Sequence, residues 1–352
     1  MRSLLQHGYQ KVHSHLPGGT ADSLTDFVFW MLRRPRIYHD AVRHPQNGLR
    51  RGSVTFSADF EMAWALQYSK SSKPRTVELG MQERKQVAEI LAVCEERIVP
   101  ATWATVGHLC LSSCSRSSSG IAHPHLIRHK HFENDHWNFS SGDWFQNDPC
   151  TNVDTDPAWY APDLVEAIVS ARAKHELASH SFSHVNFGPD CPPEVVASEL
   201  DACIQAMEPF GVRPTTLVFP GNHVGNLNVI AAKGFKAVRA FPFSTAEISL
   251  PIKIHDELWG VHSSIGVDKG TDSVNLERRL SMLKAHVEKA MTHKLSVHFW
   301  FHPSLSEIRM RALLFPLIRY CAELRDQGRI DIFTIDRLVE ETRLAIDGQP
   351  HV

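Results

Sequence analysis

His180-Ser-Phe-Ser-His184 sets two imidazoles four residues apart, a spacing that lets both reach one metal ion from a single helical turn. With 22 histidines in 352 residues, chance alone supplies roughly one or two such pairs. The chain has His125/His129, His180/His184 and His298/His302, so position must separate them. His180 and His184 directly follow a strand-like run, whereas His125 and His129 fall in a long irregular stretch and read as loop residues. A catalytic site built on two imidazoles needs a third ligand, usually a carboxylate, and an open position for water. The run Val54–Glu61 (VTFSADFE) offers it: period-two alternation places Ser57, Asp59 and Glu61 on one face and Phe56, Ala58 and Phe60 on the other. Asp59 is thus the expected third ligand beside His180 and His184.

The elements that position these residues alternate between strand and helix. Strand-like runs are Ser53–Phe60, Ala101–Leu109, His175–Ser181, Thr215–Pro220, Lys236–Phe241, Leu258–Ile265, Leu295–His302 and Ile330–Ile335. Each is short, rich in β-branched or aromatic residues and bounded by turn formers. Helical spacing marks Met81–Ile98 and Pro192–Phe210, the latter with prolines in its first turn and Gly211 past its end; Gly234 closes a further segment begun near Asn226. So many alternating units favour a mainly parallel sheet closed into a barrel, where chemistry gathers at the C-terminal strand ends. An open doubly wound sheet stays the alternative, because periodicity does not report closure. The barrel is expected over residues 51–345. Residues 1–50 read as an N-terminal arm with a helix around Ser23–Leu32, able to pack on the barrel or a second subunit. Residues 115–158 read as an insertion whose Trp137 and Trp144, with nearby Trp159, argue for a packed lid.

Composition narrows the partners. Apolar residues make up 43% of the chain and the formal net charge is −2, which gives no electrostatic reason to expect nucleic acid or an anionic membrane. No apolar run approaches the roughly 18 residues of a membrane span, and the N-terminus shows no secretory h-region. Seven cysteines, an odd number without C-x-x-C spacing, suit a reducing compartment. A cytoplasmic protein is expected.

In order along the chain, several motifs resemble those of the polysaccharide deacetylases with a NodB-homology domain, carbohydrate esterase family 4. The Asp-bearing first strand is matched by Thr55–Glu61, H-[ST]-x-x-H by His180–His184, a Pro-containing strand end by Val218–His223, and a hydrophobic strand ending in His by Phe299–His302 with Pro303. Residues 100–109 look like the second strand of the subgroup with an Asp-x-Asp first motif. The resemblance covers most of residues 50–340 and implies a distorted (β/α) barrel of seven or eight strands. It further implies hydrolysis of a sugar N-acetyl group by one divalent ion, most often zinc, held by Asp59, His180 and His184. His302 would protonate the leaving amine, and backbone N–H groups near Gly221 and Asn222 would form the oxyanion hole. His298, deeper in the same strand, reads as a core or supporting histidine.

Two positions depart from the family pattern. Ser57 stands where the subgroup carries its basic Asp, which makes Glu61 the nearest carboxylate able to act as base. Gly221 stands where the third motif commonly carries an Arg. Trp144, in Gly-Asp-Trp-Phe of the insertion, is the best indole to cover a substrate. The expected partner is an N-acetylated sugar or oligosaccharide, and the arm makes a homodimer plausible. Two alternatives stand beside this reading: a hydrolase of a small cyclic amide or ureide on the same fold, and a carbohydrate-binding protein with impaired catalysis.

Overall fold

Nine consecutive residues of β1 (Gly52–Phe60) are all buried, because this strand is enclosed on both faces and flanked by three others. The computed structural model describes residues 49–133, 136–241, 247–267 and 275–346, with Arg36 and Ile37. Those last two pair in parallel with Glu247 and Ile248, while the helix expected around Ser23–Leu32 lies outside the described residues. The other principal strands are β2 (Thr102–Thr105), β3 (Glu176–Ser179), β4 (Thr216–Val218), β5 (Ala237–Phe241), β6 (Leu258–His262), β7 (Ser296–Phe301) and β8 (Ile330–Phe333). Every strand-like run of the sequence overlaps one of them, β1 beginning one residue before its run.

From β1 through β6 each strand lies parallel to the next, and β7 returns to lie parallel to β1, Ser296 opposite Ser53. The chain just past β6 completes the circuit: Ile265 and Gly266 pair with Phe299 and Trp300 of β7. The sheet therefore curls round on itself in a seven-membered ring, with β8 alongside the first half of β1. Ile252–His255 adds an antiparallel edge to β6. Because the strands run one way, their C-terminal ends converge on one rim.

The helices cover the outside. The principal ones are α1 (Thr76–Arg97), α2 (Pro162–Ser170), α3 (Pro193–Met207), α4 (Leu227–Ala232), α5 (Leu276–His293), α6 (Phe315–Asp326) and α7 (Ile335–Ile346). Their ends follow local chemistry: Pro162 and Pro193 occupy first-turn positions, and the Asn275 side chain accepts from Arg278 N at 2.9 Å to cap α5. The three-residue extension of α3 stops on Gly211 at φ 71°, a left-handed conformation in which a Cβ is costly. Packing is tightest where α5 crosses β1. A Cβ on Gly52 would lie 2.4 Å from the Ala290 carbonyl oxygen, so only glycine lets the helix sit that close. Inside this layer, Phe56 of β1 stacks on Phe299 of β7 at 5.7 Å, each ring contributing on the order of 2 kcal/mol by burial.

The insertion is packed. Trp144 lies 4.5 Å from the Tyr68 ring and 5.0 Å from Phe139, all three buried. No helix among the described residues is long and apolar enough to cross a membrane.

Candidate metal centre and active-site cleft

His180 follows the last residue of β3, and the segment to His184 is a non-helical turn with Ser181 and His184 in left-handed backbone (φ 58° and 63°). Such conformations cost about 1–3 kcal/mol per non-glycine residue and persist only where the surroundings enforce them. The enforcement is visible. Glu199 of α3 accepts from the backbone N–H of Phe182 (3.0 Å) and Ser183 (2.8 Å) and from the Ser183 hydroxyl (2.7 Å). The Trp144 indole donates to Ser183 Oγ at 2.9 Å, and Gly107 N–H donates to Ser181 O at 2.9 Å. The i, i+4 spacing thus works through a braced kink, not the helical turn it suggested.

This kink aims both imidazoles at Glu61, just past the end of β1. Glu61 Oε1 lies 2.8 Å from His180 Nε2 and 3.2 Å from His184 Nε2. Asp59, the expected third ligand, is instead engaged by Arg239 of β5, whose Nη1 and Nη2 donate to its two oxygens at 2.6 Å each. Period-two alternation placed Asp59 and Glu61 on one face correctly, but the strand end carries the second one closer to the histidines. His302 stands between them, its Nε2 3.8 Å from Glu61 Oε1 and 3.9 Å from Asp59 Oδ2.

Arg239 is 2% exposed. Besides Asp59 it reaches Ser57 Oγ and Asn222 Oδ1, both at 3.3 Å, and lies 5.1 Å over the Trp300 ring. Ser57 is fully buried. Its Oγ is 2.7 Å from His298 Nε2, and His298 Nδ1 donates to the His262 carbonyl at 2.9 Å. With Nδ1 carrying that proton, Nε2 accepts and Ser57 O–H donates. Burial and the nearby Arg239 charge push His298 down to about 3, so the imidazole stays neutral. Ser57 lies off the cleft, where it orients Arg239.

The electrostatics keep both carboxylates ionised. Burial works to raise the Asp59 carboxyl, and Arg239 outweighs it; burial likewise opposes ionisation of Glu61, and His302, His184 and the His180 contact hold it well below its ordinary value. Burial lowers His184 against the pull of Glu61. Behind Glu61, Glu83 accepts from its backbone N–H at 2.9 Å and is pushed up to about 8 by burial and the Glu61 charge.

The donor set fits a divalent cation. His180 Nδ1 donates to the Val218 carbonyl at 2.8 Å, which leaves the neutral ring with a bare Nε2 lone pair facing a carboxylate oxygen. Two acceptors cannot share that contact unless a proton or a cation lies between them. Glu61, His180 and His184 form one group of metal-ligating atoms lying within 4.8 Å of each other, and Asp59, Glu61 and His302 form another.

A cleft of about 420 Å³ opens over these groups, lined by Asp59, Glu61, His136, Trp137, Asn222 and His302 among others. Gly221 lines it too, at φ 60°, and a Cβ there would come 3.1 Å from the Trp137 indole nitrogen. Trp137 therefore takes the space that an arginine at position 221 would need. Two further expectations are corrected. The Asn222 N–H donates to Phe219 O at 2.9 Å within its own turn, so it is not a spare oxyanion donor. Trp144 is 1% exposed beneath Ser183, where it braces the histidine turn and does not touch the cleft. Arg239 and Glu199 were not read from the sequence. A charge inside the strand Ala-Val-Arg-Ala-Phe was the available signal, since buried arginines are rare without a partner.

A family model described as polysaccharide deacetylase matches residues 75–238, a span that includes the histidine pair and stops before Arg239. Among curated proteins none matches the chain. Among solved structures, a putative polysaccharide deacetylase from Mycobacterium smegmatis is similar at 15% identity and TM-score 0.58, over 90% of this chain and 96% of that one. A probable polysaccharide deacetylase from Pseudomonas aeruginosa PAO1 is similar at 13% identity and TM-score 0.54, over 82% and 90%. Puue allantoinase is similar at 13% and TM-score 0.54, over 82% and 89%. At these identities the likeness to solved structures is one of fold.

Proposed function

We propose that this chain, whose residues 75–238 match a family model described as polysaccharide deacetylase, is a hydrolase of carbon–nitrogen bonds that removes acetyl from an N-acetylated sugar in a metal-dependent reaction. The observation that carries the proposal is the convergence of His180 and His184 on Glu61 Oε1 in the floor of an open cleft, with an ionised Asp59 alongside. Glu61, His180 and His184 would hold one divalent ion, zinc being the best match to nitrogen and carboxylate donors. When bound, such an ion polarises an acyl oxygen and acidifies a water.

The remaining work falls to the chain's own groups. Asp59 stays ionised because Arg239 offsets its burial, and it is the carboxylate in the cleft free of both metal-directed imidazoles, so it accepts the proton of the attacking water. The bidentate Arg239 contact fixes its orientation, and the Ser57–His298 pair fixes Arg239 from behind. His302 has a side chain 27% exposed and reaches the cleft from the end of β7, placed to give a proton to the departing amine nitrogen. The Trp137 indole at the cleft wall gives a sugar ring an apolar face.

The test is acetate release from a panel of N-acetylated sugars, with a cyclic ureide such as allantoin included, measured with and without chelator alongside metal content. Chelator-sensitive acetate release supports the reading. Turnover of the ureide alone would replace the substrate class, and sugar binding without turnover under any divalent metal would favour an impaired enzyme.

A further inference from the structure

A second cluster of metal-ligating side chains lies away from the cleft. His108, Cys114, His123 and Asp148 bring one ligand atom each to within 4.8 Å of the others. His108 sits in the turn after β2, and the other three come from the chain between that turn and residue 148. Asp148 is the hub: its Oδ2 lies 2.9 Å from His123 Nε2, 3.5 Å from His108 Nε2 and 3.6 Å from Cys114 Sγ. Zinc held by nitrogen at about 2.0 Å and sulfur at about 2.3 Å puts neighbouring ligand atoms roughly 3.3–3.8 Å apart. Two of these three separations fall in that range, and the third needs a few tenths of an ångström of opening.

His108 provides an independent observation. Its side chain is fully buried, its Nδ1 lies 3.3 Å from the Trp159 carbonyl, and its Nε2 has no hydrogen-bond partner. Donation from Nδ1 to that carbonyl leaves Nε2 as a lone pair, aimed at the carboxylate and sealed from water. An orphaned buried acceptor is unfavourable because it has given up its hydrogen bond to water, and a coordinated cation satisfies it. Neighbouring groups orient two of the ligands: Cys150 N–H donates to Asp148 Oδ1 at 2.9 Å, and the Tyr160 hydroxyl lies 3.2 Å from Cys114 Sγ. Trp64 and Phe182 pack on the His108 ring at 4.3 and 5.5 Å, which holds the imidazole in place.

We propose that His108, Cys114, His123 and Asp148 form a second, structural metal site for zinc. Two imidazoles, a thiolate and a carboxylate satisfy a tetrahedral ion completely, which is the mark of a closed site. The ion would tie both ends of the insertion to the β2 exit. His108 N–H donates to Phe182 O at 2.8 Å, so the same clamp steadies the turn that carries His180 and His184.

The two sites differ in sulfur, and the experiment uses that. The full chain is stripped and reconstituted with Co²⁺ alone, and thiolate-to-cobalt charge-transfer absorption is recorded; the cleft set contains no cysteine. The band is expected in the wild-type chain, unchanged in Glu61→Gln, and lost in Cys114→Ser together with one bound metal per chain. Cobalt binding without the band, or a band that survives Cys114→Ser, overturns the proposal. Should Cys114→Ser fail to fold, alkylation of the wild-type chain gives the answer. Cys114 is expected to resist labelling in the zinc-loaded protein and to react several-fold faster once zinc is removed; equal labelling in both states overturns the site.

Discussion

Glu61 Oε1 is shared by two imidazoles while both oxygens of Asp59 are taken by Arg239, so neutralising each carboxylate should fail in a different way. Asp59→Asn is expected to keep the cleft metal and lower kcat by about 10²- to 10⁴-fold, the usual range for a lost general base. Glu61→Gln is expected to lose the cleft metal. Metal content and acetate release on the same preparations decide it, and the opposite pattern would return the ligand role to Asp59. Sequence spacing was enough to place Ser57, Asp59 and Glu61 on one face and to pair His180 with His184. It could not rank the carboxylates, because which one meets the histidines depends on where β1 ends against β3 and on a guanidinium from β5. Ser57 illustrates the same limit. A buried hydroxyl between His298 and Arg239 is indistinguishable, in a one-dimensional pattern, from one facing a cleft.

At the level of elements, all eight principal strands were legible, since a parallel barrel strand is short, apolar and punctuated on both sides. The histidine turn was not. Its left-handed residues are imposed by Glu199 and Trp144, which are distant in sequence and carry no local signature. Ring closure through Ile265 and Gly266 was equally hidden, since two rungs after a strand look like a continuation of it. The contact between α5 and β1 gives a direct test. Gly52→Ala forces a Cβ against the Ala290 carbonyl and is expected to destabilise the chain by about 1–3 kcal/mol, read as a lower denaturation midpoint. An unchanged midpoint would mean that α5 does not sit on the strand as closely as described.

For the molecule as a whole, Glu176 at the start of β3 links the first part of the sheet to the last helix. It accepts from Thr102 Oγ1 at 2.6 Å and from the backbone N–H of Ile335 at 3.0 Å. Burial, with Asp336 nearby, pushes its carboxyl from 4.5 up to about 8. Between those values the folded chain retains a proton on Glu176 that the unfolded chain has released, so the contribution of this group to stability should fall as pH rises across that window, by no more than about 1.4 kcal/mol per pH unit. Buried imidazoles such as His298, held at about 3, pull the other way below their ordinary 6.5, so the difference between the wild-type and Glu176→Gln curves of unfolding free energy against pH isolates the effect. The variant should lose the downward contribution, and equal pH slopes for the two would refute the assignment. The three neighbours of β1 carry a different consequence. β2 follows it early, but β7 and β8 are made only after all the intervening strands have been synthesised. Contacts so remote in sequence form late and slowly. The nine-residue strand that leads to both carboxylates must therefore wait, apolar and unpaired on one side, until Ser296–Phe301 has emerged. A nascent chain released before that point would have neither a closed ring nor a site, and a holdase that shields residues 52–60 during synthesis would act on the one segment for which timing matters most.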